Sequence, residues 1–256
     1  EFASQCGDST RTGSPALPQS SGISAAGHSR VTILHSPECH PGIHRQGCRG
    51  CVLDGVAGIF HQYYYVYNDA RKEDQIVIPT EKECYTLMDQ YQMLENIREH
   101  SLVVAEIVKA ISTGLVHSGV KISVQKAMAG ALLHDIAKTQ CIQSGGNHAT
   151  VGREICLQHQ FDEIADIVGQ HVWLEDYSLY GAYSEKEVVY YADKRVLHTS
   201  VVTLAERMHD IIDRYGRNDS RLAERVRMNF TICRGVERKL FSQLDVRPED
   251  LARMIL

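Results

Sequence analysis

The chain has 256 residues, of which 43% are hydrophobic and 23% charged, with a formal net charge of −5. This length supports one substantial folded domain with an extension, and the charge argues against a broad electrostatic attraction to nucleic acid. Charged residues interrupt every apolar run before it reaches the roughly 20 residues that span a bilayer, and no basic segment followed by an apolar one opens the chain. We therefore expect a cytoplasmic protein with reduced thiols and with no membrane or nucleic-acid partner.

The first predicted region is an N-terminal extension over residues 1–79, partly disordered or of unknown fold. Residues 1 to about 30 are rich in Ser, Gly and Pro, a composition that buries too little apolar area to offset the entropy of ordering. The later segment "CHPGIHRQGCRGC" is a loop that could bind a structural zinc ion, or could be a solvated loop with incidental cysteines. Its candidate ligands are Cys39, His40, His44, Cys48 and Cys51.

Helical periodicity begins after this extension and predicts an all-α domain over residues 80–245, followed by a C-terminal tail over 246–256. Thr80 and Glu83 have the spacing of a capping box, and the long helical stretch that they open would end at Gly114. Further helices are predicted from Ser123 to about Lys138, from His148, from Asp162, from the capping box of Ser184 and Glu187 to about Tyr215, and over roughly 218–243.

Histidine and aspartate side chains interrupt the apolar faces of five of these predicted helices. His100 begins the stripe that continues through Val104, Ile107 and Ile111, so its imidazole should point into the core. By the same reasoning, each of the other four helices directs one or two polar side chains inward. These residues are His134, Asp135, His148, His171 and Asp193.

A single buried histidine is usually a core residue with a hydrogen-bond partner, and an isolated buried aspartate usually caps a helix or pairs with an arginine. Six such side chains together need another explanation, because burying an ionised carboxylate without a partner is very costly. Few basic residues lie on the same stripes, so a cation is the simplest partner. Four imidazoles and two carboxylates suit one or two divalent transition-metal ions (Fe, Mn, Co, Ni or Zn) better than Ca or Mg.

These residues also carry a resemblance. His100, the pair His134-Asp135 and Asp193, within "LLHDIAK" and "YYADKRV", resemble the HD superfamily of metal-dependent phosphohydrolases. The resemblance covers about residues 80–215 and implies an HD-domain helical bundle. The segments "HATVG" and "QHV" further resemble the subset that holds two metals, and within that subset the pattern is most similar to bacterial HD-type dinucleoside tetraphosphatases.

The resemblance implies a ligand set for each of two metal ions. His100, His134, Asp135 and Asp193 would bind the first metal, and Asp135 would bridge to a second. His148 and His171 would hold that second ion. The spacing from Asp135 to His148 is short compared with some two-metal relatives, so His148 could face the substrate instead.

Metal-activated water attacking phosphorus is the chemistry that such a centre favours, with Asp135 and Lys138 as the candidate catalytic residues. Lys138 lies four residues after His134, on the same helical face, where its ammonium could neutralise a substrate phosphate. It could equally be a surface lysine near the helix end. Lys194 and Arg195 could bind further phosphates, although a solvated helix face would explain at least one of them.

The leading hypothesis is a phosphohydrolase that acts on a nucleotide, a dinucleotide polyphosphate or another phosphate ester. A two-iron HD-type oxygenase and a non-catalytic nucleotide-sensing module are the alternatives. The expected partner is a small phosphorylated substrate such as a nucleotide, and oligomerisation stays open. Beyond Asp193, His198 completes no recognised spacing, and Arg207 is predicted to form a helix-surface pair of small energetic value.

Overall fold

The computed structural model of the chain describes residues 77–255. The zinc hypothesis for the cysteine-rich loop and the rest of residues 1–76 lie outside the described residues. Within them the predicted all-α fold is confirmed. The helices are α1 (Glu81–Gln90), α2 (Glu95–His117), α3 (Val124–Leu133), α4 (Lys138–Ser144), α5 (His148–Gln158), α6 (Asp162–Gln170), α7 (Glu185–Asp193), α8 (Leu204–Ile211), α9 (Ser220–Phe241) and α10 (Leu251–Ile255).

Helix α3 lies at the centre of the bundle and contacts α1, α2, α6 and α7. All seven residues from Ala127 to Leu133 are buried, as expected for a helix that is apolar on every side. Gly130 allows the closest approach, because a Cβ atom there would lie 2.6 Å from Ile167 Cγ2 of α6. This close packing brings the C-terminal ends of α3 and α6 together.

Two capping boxes fix helix starts as predicted. Thr80 with Glu83 begins α1, and Ser184 with Glu187 begins α7, each with both reciprocal hydrogen bonds. The long helix predicted from Thr80 to Gly114 is instead two helices, because Gln92 adopts a left-handed φ of 50° between them. Gly114 does not end α2: its missing side chain leaves room for Leu244, whose Cδ2 would lie 2.7 Å from a Cβ.

Helix α3 ends at Leu133 rather than near Lys138. Turn hydrogen bonds follow, from Ile136 N to the Leu133 carbonyl (3.0 Å) and from Lys138 N to the Asp135 carbonyl (2.9 Å). The chain thus turns at His134–Ala137 before α4 begins. This turn places His134 and Asp135 beyond the end of the central helix rather than along it.

The single helix predicted from Ser184 to Tyr215 is also interrupted. Helix α7 ends at Asp193, and an antiparallel pair of short strands follows, β1 (Val196–Leu197) and β2 (Ser200–Val201). Thr203 and Glu206 then form a third capping box that opens α8. A π-helical turn, Ile212–Gly216, extends α8. This hairpin and turn form one wall of the cavity described below.

The C-terminal residues 246–256 were predicted as a tail, and those described form a 3₁₀ turn (Pro248–Asp250) and α10. Helix α10 contacts α2, and Leu251 is fully buried. Cys84, Cys141, Cys156 and Cys233 are free and buried. Between residues 77 and 255, no helix combines the length and apolar character needed to cross a membrane.

Candidate metal centre

Three helices end at the same place in the bundle. His134 and His171 directly follow the last residues of α3 and α6, and Asp193 is the last residue of α7. Helix C-termini carry partial negative charge, so their convergence favours a cation there. His100 from the second turn of α2 and His148 from the first turn of α5 complete the cluster.

The first ligand set consists of His100, His134 and Asp193, whose donor atoms lie within 4.8 Å of one another. Asp193 Oδ1 is 3.2 Å from His100 Nε2 and 3.7 Å from His134 Nε2. The two imidazoles are buried, and the carboxylate reaches them from the end of α7. His100 and Asp193 are 93 positions apart in the chain, yet together with His134 they present one oxygen and two nitrogens to a common point.

The second ligand set consists of Asp135, His148 and His171, again with donor atoms within 4.8 Å of one another. Asp135 Oδ1 is 3.3 Å from His148 Nε2 and 3.6 Å from His171 Nε2. The two histidine Nε2 atoms are 3.1 Å apart. All three side chains are buried.

Asp135 joins the two sets. While its Oδ1 faces the second set, its Oδ2 lies 3.3 Å from His134 Nε2 in the first. A carboxylate in this position can bind one ion through each oxygen. Each oxygen of Asp135 thus faces a different ligand set, and His148 lies toward Asp135 and His171.

Backbone carbonyls orient the histidines from behind. The Nδ1 atoms of His134 and His171 lie 2.7 Å from the Ala131 carbonyl and 2.6 Å from the Val168 carbonyl, in each case three residues earlier. His100 Nδ1 lies 3.0 Å from the His198 carbonyl. An Nδ1–H that donates to each carbonyl leaves the Nε2 lone pair directed at the centre, the tautomer that a metal ligand needs.

Two buried ligand atoms in the centre, His134 Nε2 and Asp135 Oδ1, have no hydrogen-bond partner among the described residues. Native proteins rarely leave such atoms unpaired in the interior, because each costs the free energy of desolvation. A cation bound between the ligand sets would satisfy both. The residues present therefore fit one or two divalent metal ions.

The titration behaviour of the second ligand set suits metal binding. Burial lowers the pKa of His148 to about 3 and also lowers the pKa of His171, so both imidazoles are neutral near pH 7. Burial would raise the pKa of Asp135, but the Lys138 ammonium and His134 outweigh it and hold that pKa well below its ordinary value. Neutral histidines and an ionised carboxylate are the forms that bind metals.

A cavity of about 380 Å³ opens onto these ligands. Lys138 lies on its wall, with Nζ 2.8 Å from Asp135 Oδ2. Lys194 also lines it, but its buried Nζ donates to the His171 carbonyl at 2.8 Å and lies 3.6 Å from Asp193 Oδ2. Arg195 does not line the cavity: its Nε donates to the Val202 carbonyl at 2.6 Å.

Three residues that the sequence patterns did not assign to the site also line the cavity: His198, Arg207 and Arg214. They follow the end of α7, where a continuous helix was predicted. The helix pair predicted for Arg207 forms, with Asp210 at 2.8 Å, but the Arg207 side chain is only 17% exposed. The capping box of Thr203 and Glu206 is the sequence signal that could have revealed the break.

Comparison with known proteins agrees with this centre. The profile of the HD domain family matches residues 97–230, just over half of the chain. A tRNA (cytidine(56)-2'-O)-methyltransferase of Thermoplasma volcanium is 32% identical over 108 residues, which cover 42% of this chain and 30% of that protein. An uncharacterized protein of Methanocaldococcus jannaschii is 34% identical over 79 residues, which cover 30% of this chain and 46% of that protein.

A ribonuclease Y of Thermosipho melanesiensis is 36% identical over 78 residues, which cover 30% of this chain and 14% of that protein. The chain thus spans less than half of the length of each of these three relatives. No solved structure matches the chain significantly. Because the profile matches just over half of the chain, the chain belongs to the HD domain family, and the matched range contains His100, the His134-Asp135 pair and Asp193.

Proposed function

We propose that the protein is a metal-dependent phosphohydrolase that acts on a nucleotide, a dinucleotide polyphosphate or another phosphate ester. The supporting observation is the position of Asp135, which lies between two ligand sets at a cavity that also holds the Lys138 ammonium. Membership of the HD domain family supports the same class of reaction.

Each ligand set would hold one divalent ion from the group Fe, Mn, Co, Ni and Zn, because two imidazole nitrogens and a carboxylate oxygen suit these metals. A metal held there lowers the pKa of a water molecule to about 7 and offsets negative charge on phosphoryl oxygens. The protein supplies the orientation. Its backbone carbonyls at residues 131, 168 and 198 hold the imidazoles of His134, His171 and His100, respectively, in place.

Asp135 and Lys138 are the proposed catalytic residues. Asp135 would help to hold both ions, since its two oxygens face different ligand sets. Lys138 is 22% exposed at the cavity wall, so its ammonium can reach a phosphate that enters the cavity and stabilise charge on its oxygens during attack.

Lys194 is proposed here as a positioning residue. Its Nζ donates to the His171 carbonyl and lies next to Asp193, so it links the two ligand sets from behind. Arg195 is proposed to stabilise the fold rather than to bind substrate, since Nη2 donates to the Pro248 carbonyl at 3.0 Å and Nη1 lies 3.5 Å from Glu237 Oε2.

A small phosphorylated substrate is favoured over RNA. Two relatives carry names that refer to RNA, but the chain spans only 30% and 14% of their lengths. The formal net charge of −5 gives no general attraction to a polyanion. Dinucleoside tetraphosphates are a specific candidate because the motif pattern of the chain resembles that of HD-type dinucleoside tetraphosphatases.

The test is phosphate release by the purified protein with each of the five metals. The substrates are nucleoside mono- and triphosphates, a dinucleoside tetraphosphate, p-nitrophenyl phosphate and a short RNA, with Asp135→Asn as the inactive control. Metal-dependent release that the control lacks supports the proposal. Metal-dependent oxygen consumption without hydrolysis of any substrate would contradict it and support an HD-type oxygenase.

A further inference from the structure

A pair of arginines, Arg207 and Arg214, lines the cavity on a segment separate from the metal ligands. Both are held by one carboxylate, that of Asp210. Arg207 Nη1 donates to Asp210 Oδ2 at 2.8 Å, and Arg214 Nε donates to Asp210 Oδ1 at 2.7 Å. Each oxygen of Asp210 thus orients one guanidinium group, which reduces the entropy lost when the two bind a ligand.

Two guanidinium groups and one carboxylate leave one net positive charge on this wall. Arg207 is largely buried, and its Nε is a buried donor without a hydrogen-bond partner among the described residues. A buried donor on a cation that stays unpaired is costly, so an acceptor is expected there. Arg214 is more exposed and can move toward a ligand.

The local backbone directs these side chains at the cavity. Arg214 lies in the single π-helical turn after α8, a conformation that often occurs at functional sites. Its Nη2 is 3.1 Å from Nε2 of His198, a residue with a left-handed φ of 55° in the β1–β2 hairpin. The carbonyl of His198 also contacts His100, so one hairpin connects the arginine pair with the metal centre.

We propose that the arginine pair is an anion subsite that binds a second phosphate group of the substrate. Guanidinium groups match the geometry of phosphate oxygens and remain charged at any working pH. Because Lys138 and the metal ligands lie at another part of the same cavity, one substrate would meet both. The substrate class is therefore a phosphoanhydride or a nucleotide with more than one phosphate, rather than a simple monoester. This inference rests on the proposed phosphohydrolase function.

Two substrates separate the subsite from the metal centre: inorganic tripolyphosphate and p-nitrophenyl phosphate, which has one phosphate. Arg214→Gln and Arg207→Gln should each raise KM for tripolyphosphate about 10- to 100-fold, the value of one charged hydrogen bond. Their kcat/KM for p-nitrophenyl phosphate should change by less than about threefold. Arg207→Lys keeps the positive charge but not the planar guanidinium group with its paired N–H donors, so it should lose part of the affinity for tripolyphosphate.

The matched control is Arg217→Gln, which makes the same change in charge at a side chain that is 73% exposed and outside the cavity wall. It should behave as the unaltered protein. Equal losses on both substrates, or no loss on either, would overturn the subsite. Because Arg214 is 42% exposed, its variant should fold even if Arg207→Gln does not.

Binding of tripolyphosphate measured by calorimetry keeps the two proposals distinct. If the protein hydrolyses nothing but binds tripolyphosphate, and Arg214→Gln weakens binding about tenfold or more, the subsite stands while the proposed reaction fails. If the protein hydrolyses p-nitrophenyl phosphate but neither variant alters tripolyphosphate binding, the reaction stands while the subsite fails.

Discussion

The two ligand sets of the proposed metal centre use the same residue types but balance their charges differently. In the first set, Asp193 contacts His100 at 3.2 Å, and the Lys194 ammonium lies 3.6 Å from its other oxygen. In the second set, two histidines face each other at 3.1 Å, and Asp135 Oδ1 has no hydrogen-bond partner among the described residues. The first set likewise keeps one buried atom without such a partner, His134 Nε2. Both sets should therefore depend on a bound ion, and the second is the more deeply buried, since Asp135 is 1% exposed and Asp193 is 16% exposed.

Asp135 is common to both sets, so its loss should have the largest effect. Asp135→Asn keeps the shape but removes the charge, and we expect a fall in kcat/KM of about 10³-fold or more together with loss of metal. Asp135→Ala should do the same. Elemental analysis and turnover measure both effects, and Asp166→Asn on the exposed face of α6 is the control. Unchanged turnover would refute the assignment of Asp135.

His171→Ala should remove one ion and leave the other. We expect bound metal to fall from about two ions to about one, with activity reduced roughly 100-fold because the remaining ion lacks its neighbour. His100→Ala should give the reciprocal loss from the first set. His117→Ala changes an exposed histidine and serves as the control. Equal metal content in His171→Ala and the unaltered protein would exclude His171 as a ligand.

Lys138→Gln separates charge at the cavity wall from metal binding. We expect kcat/KM to fall about 10- to 100-fold, because an ammonium that stabilises phosphoryl oxygens is lost. The metal content should stay the same, since the amine is not a ligand. A loss of metal equal to that of Asp135→Asn would instead assign Lys138 to support of the carboxylate, which it contacts at 2.8 Å.

Removal of the ions should also lower the stability of the protein, and this change in stability is the smallest of the expected effects. With metal at about 100 times Kd, binding to the native state should raise the melting temperature by about 5 to 10 °C over the chelated protein. His171→Ala should keep only part of this increase, because it removes a ligand from one of the two sets. A melting temperature that metal does not change would contradict a metal site that forms only in the native state.

Much of this centre was predictable because the signals are local. The stripe that begins at His100 follows helical spacing, and Val104, Ile107 and Ile111 are all buried. The capping boxes at Thr80 and Ser184 depend on contacts between residues three positions apart, and both form. The helix breaks at Gln92 and after Asp193 were missed because a left-handed residue and a hairpin are stabilised by packing elsewhere in the chain.

The sequence alone determined which residues face the interior and in which order the HD pattern occurs, because helical periodicity and capping are set by near neighbours. Only the tertiary structure decided that the two oxygens of Asp135 face different ligand sets and that Arg207 and Arg214 share a cavity with them. The reason lies in contacts between distant parts of the chain. The His198 carbonyl meets His100 across 98 positions, and no local pattern encodes that hydrogen bond.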